Sequence, residues 1–106
     1  MNYETIPYFQ CGGHEYEIHL INAYTVDDDN NLGDTHHYKQ RIRVALLCSD
    51  GTPRNLSSIE ETLCHEIVHT VSRVFNADLT EAQVLQTSEG LYQILKQFGL
   101  KLVKEV

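Results

Sequence analysis

The feature that most constrains this chain is a pair of histidines four residues apart, His65 and His69, with Glu66 between them. The surrounding residues have the apolar period of a helix, so both imidazoles lie on one helix face. Two imidazoles at this spacing can bind one metal ion, and the adjacent carboxylate can hold a water on it. The metal-binding face borders the core face, so the rest of the chain must supply a cleft and further ligands.

Length and composition narrow the possible classes of protein. The chain has 106 residues, which predicts a single domain over residues 1–106 with one modest core. Its formal net charge is −7, so no nucleic-acid partner is expected. Three cysteines at wide spacings favour a reducing cytoplasm over a disulfide framework. Neither a signal peptide nor a membrane-spanning segment is expected, and the sequence specifies no oligomeric state.

Two segments in the first half of the chain alternate apolar and polar residues as strands do. They cover residues 14–26 and 41–47, and antiparallel pairing is the simplest arrangement for them. The acidic stretch 27–34 between them lacks the spacing of a calcium loop and is interpreted as a solvated loop. His36 and His37 would point to opposite faces of a strand, so we interpret them as loop or surface residues.

Two helices are predicted in the second half. The first begins at Ser58, where Glu61 completes a capping-box pattern, and it ends near Asn76. The second covers about residues 80–98, and Gly99 ends it. The predicted buried stripes are Ile59, Leu63, Ile67, Val71 and Val74 on the first helix, and Val84, Ser88, Leu91, Leu95 and Phe98 on the second. The last residues are compatible with a tail or a docking strand. The predicted fold class is therefore α+β, a small antiparallel sheet packed on two helices.

A catalytic zinc site usually has three protein ligands and one open position, so a third ligand is needed. No histidine follows His69, which leaves Glu81 and Glu89 on the second helix and Asp78 in the turn before it. Glu81 lies nearer to the face that carries Val84, although Asp78 and Glu81 also form a capping-box pattern. Glu89 lies level with the histidines if the two helices form a tight antiparallel hairpin. These arguments leave both glutamates open.

Residues 62–95 resemble small zincin-like proteins that are common in phages and integrated elements. They are more distantly similar to the zinc peptidases that cleave phage-type repressors. The H-E-x-x-H motif carries most of this resemblance, and residues 32–35 and 42–44 are similar to an upstream strand of those proteins. About two thirds of the chain is covered, and a zincin-like fold is implied.

The resemblance also bears on the third ligand. In such families it is a glutamate followed at +3 by a small or branched apolar residue and later by a small one, as Glu81 is by Val84 and Ser88. A thermolysin-like resemblance implies Glu89 instead. We predict Glu81, with Glu89 as the alternative. Leu85 stands where these families place an acidic partner for a ligating histidine, so weakened metal binding is expected.

The resemblance implies a gluzincin-like zinc metallopeptidase that hydrolyses a peptide or protein substrate. Zinc on His65, His69 and a glutamate would lower the pKa of a bound water, and Glu66 would act as the general base. If the strand at residues 41–47 is an edge strand beside the cleft, it would pair with an extended peptide.

Two further interpretations belong to other functional classes. The chain is short for a zincin, and it could be a non-catalytic module that holds a structural zinc ion. It could also be a metal-free module that binds another protein through the acidic loop 27–34. Tyr92 and His36 are the candidates for an oxyanion donor if the protein is an enzyme.

Overall fold

The computed structural model describes residues 2–27 and 29–106, and the predicted α+β class is confirmed. Two helices and six strands make up the described part of the chain. They are β1 (Tyr3–Glu4), β2 (Tyr8–Cys11), β3 (His14–Ile21), β4 (Gly33–His36), β5 (Arg41–Ala45), α1 (Leu56–Val74), α2 (Glu81–Gln97) and β6 (Lys104–Glu105). No helix in these two ranges combines the length and apolar character needed to cross a membrane.

The main sheet has four strands in the order β2-β3-β5-β4 and is mixed rather than antiparallel, so the predicted pairing is wrong. β3 and β5 are parallel, with Ile18 opposite Ile42 and Leu20 opposite Val44. Between them the chain forms β4, which pairs antiparallel with the outer side of β5. The sequence pattern does not reveal β4, because its four residues contain no apolar alternation and begin with a glycine.

The acidic stretch between β3 and β5 is only partly a loop. Residues 29–32 are exposed, as predicted for a solvated loop, whereas Gly33 and Asp34 belong to β4. Asp28 lies outside the described residues. The Asp27 carboxylate accepts a hydrogen bond of 2.9 Å from the side-chain amide of Asn31, which closes the turn before β4.

α1 lies between the main sheet and α2. The core consists of Ile18, Ile42, Val44, Ile59, Leu63 and Val103. Ile59 and Leu63 therefore face the sheet as predicted, but Val71 is 43% exposed. Cys64 and Val68 are buried instead, and the Cys64 thiol lies 3.7 Å from the carbonyl oxygen of Ser88 on α2. The sequence pattern predicted one buried stripe on α1, whereas the helix buries two faces, one against the sheet and one against α2.

The start of α1 differs from the prediction. Asn55 is the N-cap and makes no side-chain capping bond, and Ser58 lies inside the helix. The predicted capping box of Ser58 and Glu61 is therefore wrong. Arg54 stabilises this end instead, because its buried guanidinium donates to the carbonyl oxygens of Ala45 at 2.6 Å and Ser58 at 3.1 Å. These bonds tie the end of β5 to the first turn of α1.

α2 runs antiparallel to α1 and packs on it through a narrow stripe. Val84 and Ser88 are buried as predicted. Phe98 is 79% exposed because α2 ends at Gln97 and the chain turns away. Tyr92, which was not predicted to be buried, is 6% exposed and faces α1.

Glu60 is a buried carboxylate that anchors the end of the chain. It is 1% exposed, and its Oε2 accepts hydrogen bonds from the backbone N–H groups of Leu102 at 2.7 Å and Val103 at 3.1 Å. Its Oε1 accepts bonds from the Tyr92 hydroxyl at 2.8 Å and the Lys96 ammonium at 3.3 Å. Burial raises the pKa of Glu60, but these four bonds outweigh burial and lower it. The last residues thereby form a docking strand, β6, which pairs with β1.

We expect Glu60→Gln to lower the free energy of unfolding by about 2–3 kcal/mol at pH 7, because a neutral amide cannot replace four bonds to a buried charge. Since the folded pKa is lowered, the contribution of Glu60 is fully present above the ordinary glutamate pKa of about 4.3. It is lost as the pH falls through the folded value. Urea unfolding should therefore show a difference between wild type and variant that shrinks below about pH 4. Glu61→Gln is the exposed control, and an equal loss in both variants would contradict the assignment.

Candidate metal centre

Three possible metal ligands converge where α2 begins beside α1. His65 and His69 lie on one face of α1, with ring centroids 4.9 Å apart. Glu81 faces both rings: its Oε1 is 2.7 Å from Nε2 of His65, and its Oε2 is 2.9 Å from Nε2 of His69. One donor atom from each side chain lies within 4.8 Å of the others. The structure thus brings together the two predicted histidines and the preferred glutamate.

The donor set fits a zinc ion. Tetrahedral zinc with bonds of about 2.0–2.2 Å places its ligand atoms roughly 3.3 Å apart. The Glu81 oxygens lie 2.7 and 2.9 Å from the two Nε2 atoms, so the side chains would have to separate by about half an ångström to hold the ion. Two imidazoles and one carboxylate form a known catalytic donor set that leaves a fourth position open. The side chains of His65 and His69 are 19% and 28% exposed, so solvent reaches the point where the three groups meet.

The start of α2 determines where Glu81 lies. Thr80 is the N-cap, and its hydroxyl accepts a bond of 3.1 Å from the Gln83 N–H. The Gln83 side chain in turn accepts a bond of 2.9 Å from the Thr80 N–H. The predicted capping box of Asp78 and Glu81 is therefore wrong. Because Thr80 and Gln83 make the capping hydrogen bonds at the start of α2, the Glu81 carboxylate is not needed for capping and is available to the histidines.

The alternative third ligand lies elsewhere in the same cleft. Glu89 lines the cleft two turns further along α2, but it does not belong to the three-residue group.

The two candidate oxyanion donors lie outside the cleft. Tyr92 donates its hydroxyl to Glu60 in the core, and the Nδ1 of His36 accepts a bond from the Lys39 N–H. His37, interpreted from the sequence as a loop or surface residue, does line the cleft.

Glu66 is a buried carboxylate beside this group. It is 6% exposed, and its Oε1 accepts a hydrogen bond of 2.8 Å from the Thr35 hydroxyl on β4. Burial raises the pKa of Glu66, and the Thr35 bond and the electrostatic effect of His69 only partly offset that rise. The negative charges of Asp34 and Glu81 raise the pKa further. A carboxylate with a raised pKa is a suitable proton acceptor and donor near neutral pH.

β4 forms the wall of the cleft across from α2 and is the outer strand of the main sheet. The Ala45 N–H donates to the Leu32 carbonyl oxygen at 2.8 Å, which fixes the alternation of backbone bonds along the antiparallel pair. Gly33 and Thr35 consequently direct their N–H and C=O groups away from β5. β5 itself is a central strand, so residues 41–47 do not have the edge position on which their expected pairing with a peptide depended.

Gly33 allows β4 to approach α1 closely. A Cβ at this position would lie 2.6 Å from Thr62 Cγ2 and 3.3 Å from Glu66 Cγ. An ion pair between Asp34 and Arg43 holds the opposite face of β4 to β5. The cleft between β4 and α2 has a volume of about 740 Å³ and extends along α1.

Comparison with protein-family models, curated proteins and solved structures finds no match to this chain. The interpretation of the cleft therefore depends on the chemistry and geometry of its own residues.

Gly33→Ala tests whether close packing of β4 on α1 holds the cleft together. We expect a loss of about 1–3 kcal/mol in the free energy of unfolding, because the added methyl group overlaps Thr62 and forces the strand outward. Gly90→Ala is the matched control: a Cβ added there would meet no side chain of the described residues within 4 Å, so this helical substitution should stabilise the protein by about 0.5–1 kcal/mol. Urea unfolding of both variants checks the prediction, which fails if Gly33→Ala is as stable as wild type.

Proposed function

We propose that this protein is a small zinc metallopeptidase of the zincin type, which hydrolyses peptide bonds in the cleft between β4 and α2. The proposal is carried by one observation, the convergence of His65, His69 and Glu81 on a single point beside the buried carboxylate of Glu66. A helix bearing the histidines beneath an edge strand also agrees with a zincin-like arrangement of the α+β fold.

The chemistry follows from the residues around that point. His65, His69 and Glu81 would hold Zn²⁺, which when bound acts as a Lewis acid and lowers the pKa of water. Glu66 accepts the proton released as the water oxygen bonds to the carbonyl carbon. It then returns that proton to the leaving nitrogen as the C–N bond breaks. Thr35 holds Oε1 of Glu66, which orients the carboxylate and leaves Oε2 as the proton acceptor.

The proposed substrate is an extended peptide or a flexible protein segment. Gly33 and Thr35 present backbone groups along the outer edge of β4, where a peptide can add as a further strand. The cleft continues past the metal group to Glu89, which leaves room for residues on either side of the cleaved bond. A cytoplasmic location belongs to the same proposal and is supported by three free cysteines.

A non-catalytic zinc module is the second candidate, and the histidines' surroundings favour it. In the described part of the chain, neither His65 nor His69 has a hydrogen-bond partner at Nδ1, although such a partner usually orients a ligating ring. Leu85 lines the cleft where an acidic partner was expected. Weak metal binding without turnover would agree with these features.

Metal content tests the ligand set. Wild-type protein without a histidine tag should hold one zinc ion per chain by elemental analysis. Glu81→Ala should weaken zinc binding on the order of 100-fold or more, because one of three ligands is lost, whereas Glu89→Ala should bind zinc as wild type does. Loss of zinc only in Glu89→Ala would reassign the third ligand. A wild-type protein without zinc after reconstitution would overturn the proposal and leave a metal-free interaction module.

Glu66→Gln separates an enzyme from a zinc-binding module. The variant should retain zinc, because Glu66 is not in the ligand group, and should lower hydrolysis of a fluorogenic peptide library by about 10²–10⁴-fold. Zinc content measured on the same preparation is the control. Hydrolysis at the wild-type rate would show that Glu66 is not the general base, and an inactive wild type with one zinc ion would favour the non-catalytic module.

A further inference from the structure

We propose that His37 is a further catalytic residue of this cleft, whose Nε2–H donates a hydrogen bond to the scissile carbonyl oxygen as that oxygen becomes negatively charged. The inference rests on the proposed peptidase function, since it assigns an oxyanion donor to that reaction. An assignment is needed because Tyr92 is committed to Glu60 in the core, and because His36 is outside the cleft.

The packing of β4 on α1 places His37 near the metal group. Gly33 lies against Thr62, and Thr35 lies against Glu66, so β4 and α1 run in the same direction. Two residues beyond Thr35, about 7 Å along the chain, His37 reaches the turn of α1 that carries His69. It lies in the turn that follows β4 and lines the same cleft as Gly33 and Thr35.

Tyr16 on β3 holds the His37 ring in place. The Tyr16 hydroxyl is 3.3 Å from Nδ1 of His37, and the two rings meet edge to face with centroids 6.3 Å apart. Tyr16 is 3% exposed and stacks on Phe9 at 5.8 Å, so it cannot easily move away. The Nε2 atom of His37 has no hydrogen-bond partner within residues 2–27 and 29–106 and is therefore available to a ligand.

The surroundings of this pair favour one tautomer. Burial raises the pKa of Tyr16, so its hydroxyl keeps its proton, and we assign that proton to the bond with Nδ1 of His37. Burial and then the positive charge of Arg73, with smaller effects of His69 and His36, lower the pKa of His37 and keep its ring neutral. A neutral imidazole that accepts at Nδ1 carries its proton on Nε2, where it serves as a donor.

The role of His37 in the reaction is electrostatic. As the water oxygen bonds to the carbonyl carbon, the π electrons of the carbonyl move to its oxygen, and Glu66 takes the proton that the water loses. The Nε2–H of His37 stabilises the negative oxygen without transferring its proton. When the C–N bond breaks, the carbonyl reforms, and the leaving nitrogen keeps the bonding pair and takes the proton from Glu66.

Two inhibitors separate an oxyanion donor from a residue that merely supports the metal site. N-phosphoryl-leucyl-tryptophan presents a tetrahedral anionic group, whereas leucine hydroxamate offers a planar metal ligand. In zinc-loaded protein, His37→Ala should weaken binding of the phosphoryl compound about 100-fold and leave hydroxamate binding within about twofold. His37→Gln keeps an N–H donor and should recover part of the loss. The control, His36→Ala, should bind both compounds as wild type does.

Nitrogen NMR of the same samples tests the positioning role of Tyr16. Wild-type protein should carry the His37 proton on Nε2, and Tyr16→Phe should increase the Nδ1–H tautomer while zinc content stays constant. An unchanged tautomer in Tyr16→Phe would overturn this role.

Other outcomes would overturn the assignment of His37 itself. A fall in zinc content in His37→Ala would make His37 a fourth ligand of a structural site. Equal weakening of both inhibitors, or of neither, would show that His37 does not contact the charged oxygen, and the proposed function would stand without it. If zinc-loaded wild type binds neither compound, the peptidase proposal fails and the assignment of His37 falls with it.

Discussion

Close packing of β4 on α1 brings together the groups that line the cleft. Gly33 has no side chain to separate the two elements, so Thr35 comes within hydrogen-bond distance of Glu66. The same approach brings the turn after β4 to the cleft, which both His37 and His69 line. A larger residue at the start of β4 would displace the strand and, with it, the hydroxyl that orients Glu66. The cleft therefore depends on the contact of Gly33 with Thr62, and neither of these residues is a possible metal ligand.

The parts of the fold that the sequence predicted are those determined by local spacing. His65 and His69 share a helix face because they are four residues apart, and the position of Glu81 beside them agrees with its place near the inward face of α2. The parallel pairing of β3 with β5 could not be predicted in this way, because it depends on β4, whose four residues lack a strand pattern. Without β4, the approach of residues 33–36 to α1 is invisible, so the sequence does not show that His37, interpreted as a loop or surface residue, lines the cleft from the turn after β4.

The third candidate ligand is less firmly held than the first two. The histidines lie on α1, which is packed between the sheet and α2, whereas Glu81 is 70% exposed at the first turn of α2. Its position depends on the cap formed by Thr80 and Gln83 and on the packing of α2 against α1. A metal ion that joined all three side chains would therefore also stabilise the helix hairpin, because binding energy available only to the closed arrangement adds to its stability.

Two buried glutamates on α1 have pKa values shifted in opposite directions because their hydrogen-bond partners differ. Glu60 and Glu66 are both almost fully buried, yet the pKa of Glu60 is lowered and that of Glu66 is raised. Four hydrogen bonds satisfy the Glu60 carboxylate and keep it charged, which makes it an anchor for the end of the chain. Among residues 2–27 and 29–106, Glu66 has a single side-chain hydrogen-bond partner, Thr35, and two other carboxylates nearby, so its charged form is only partly compensated. Because the two residues face different sides of one helix, the charge that stabilises the fold does not compete with the one available for proton transfer.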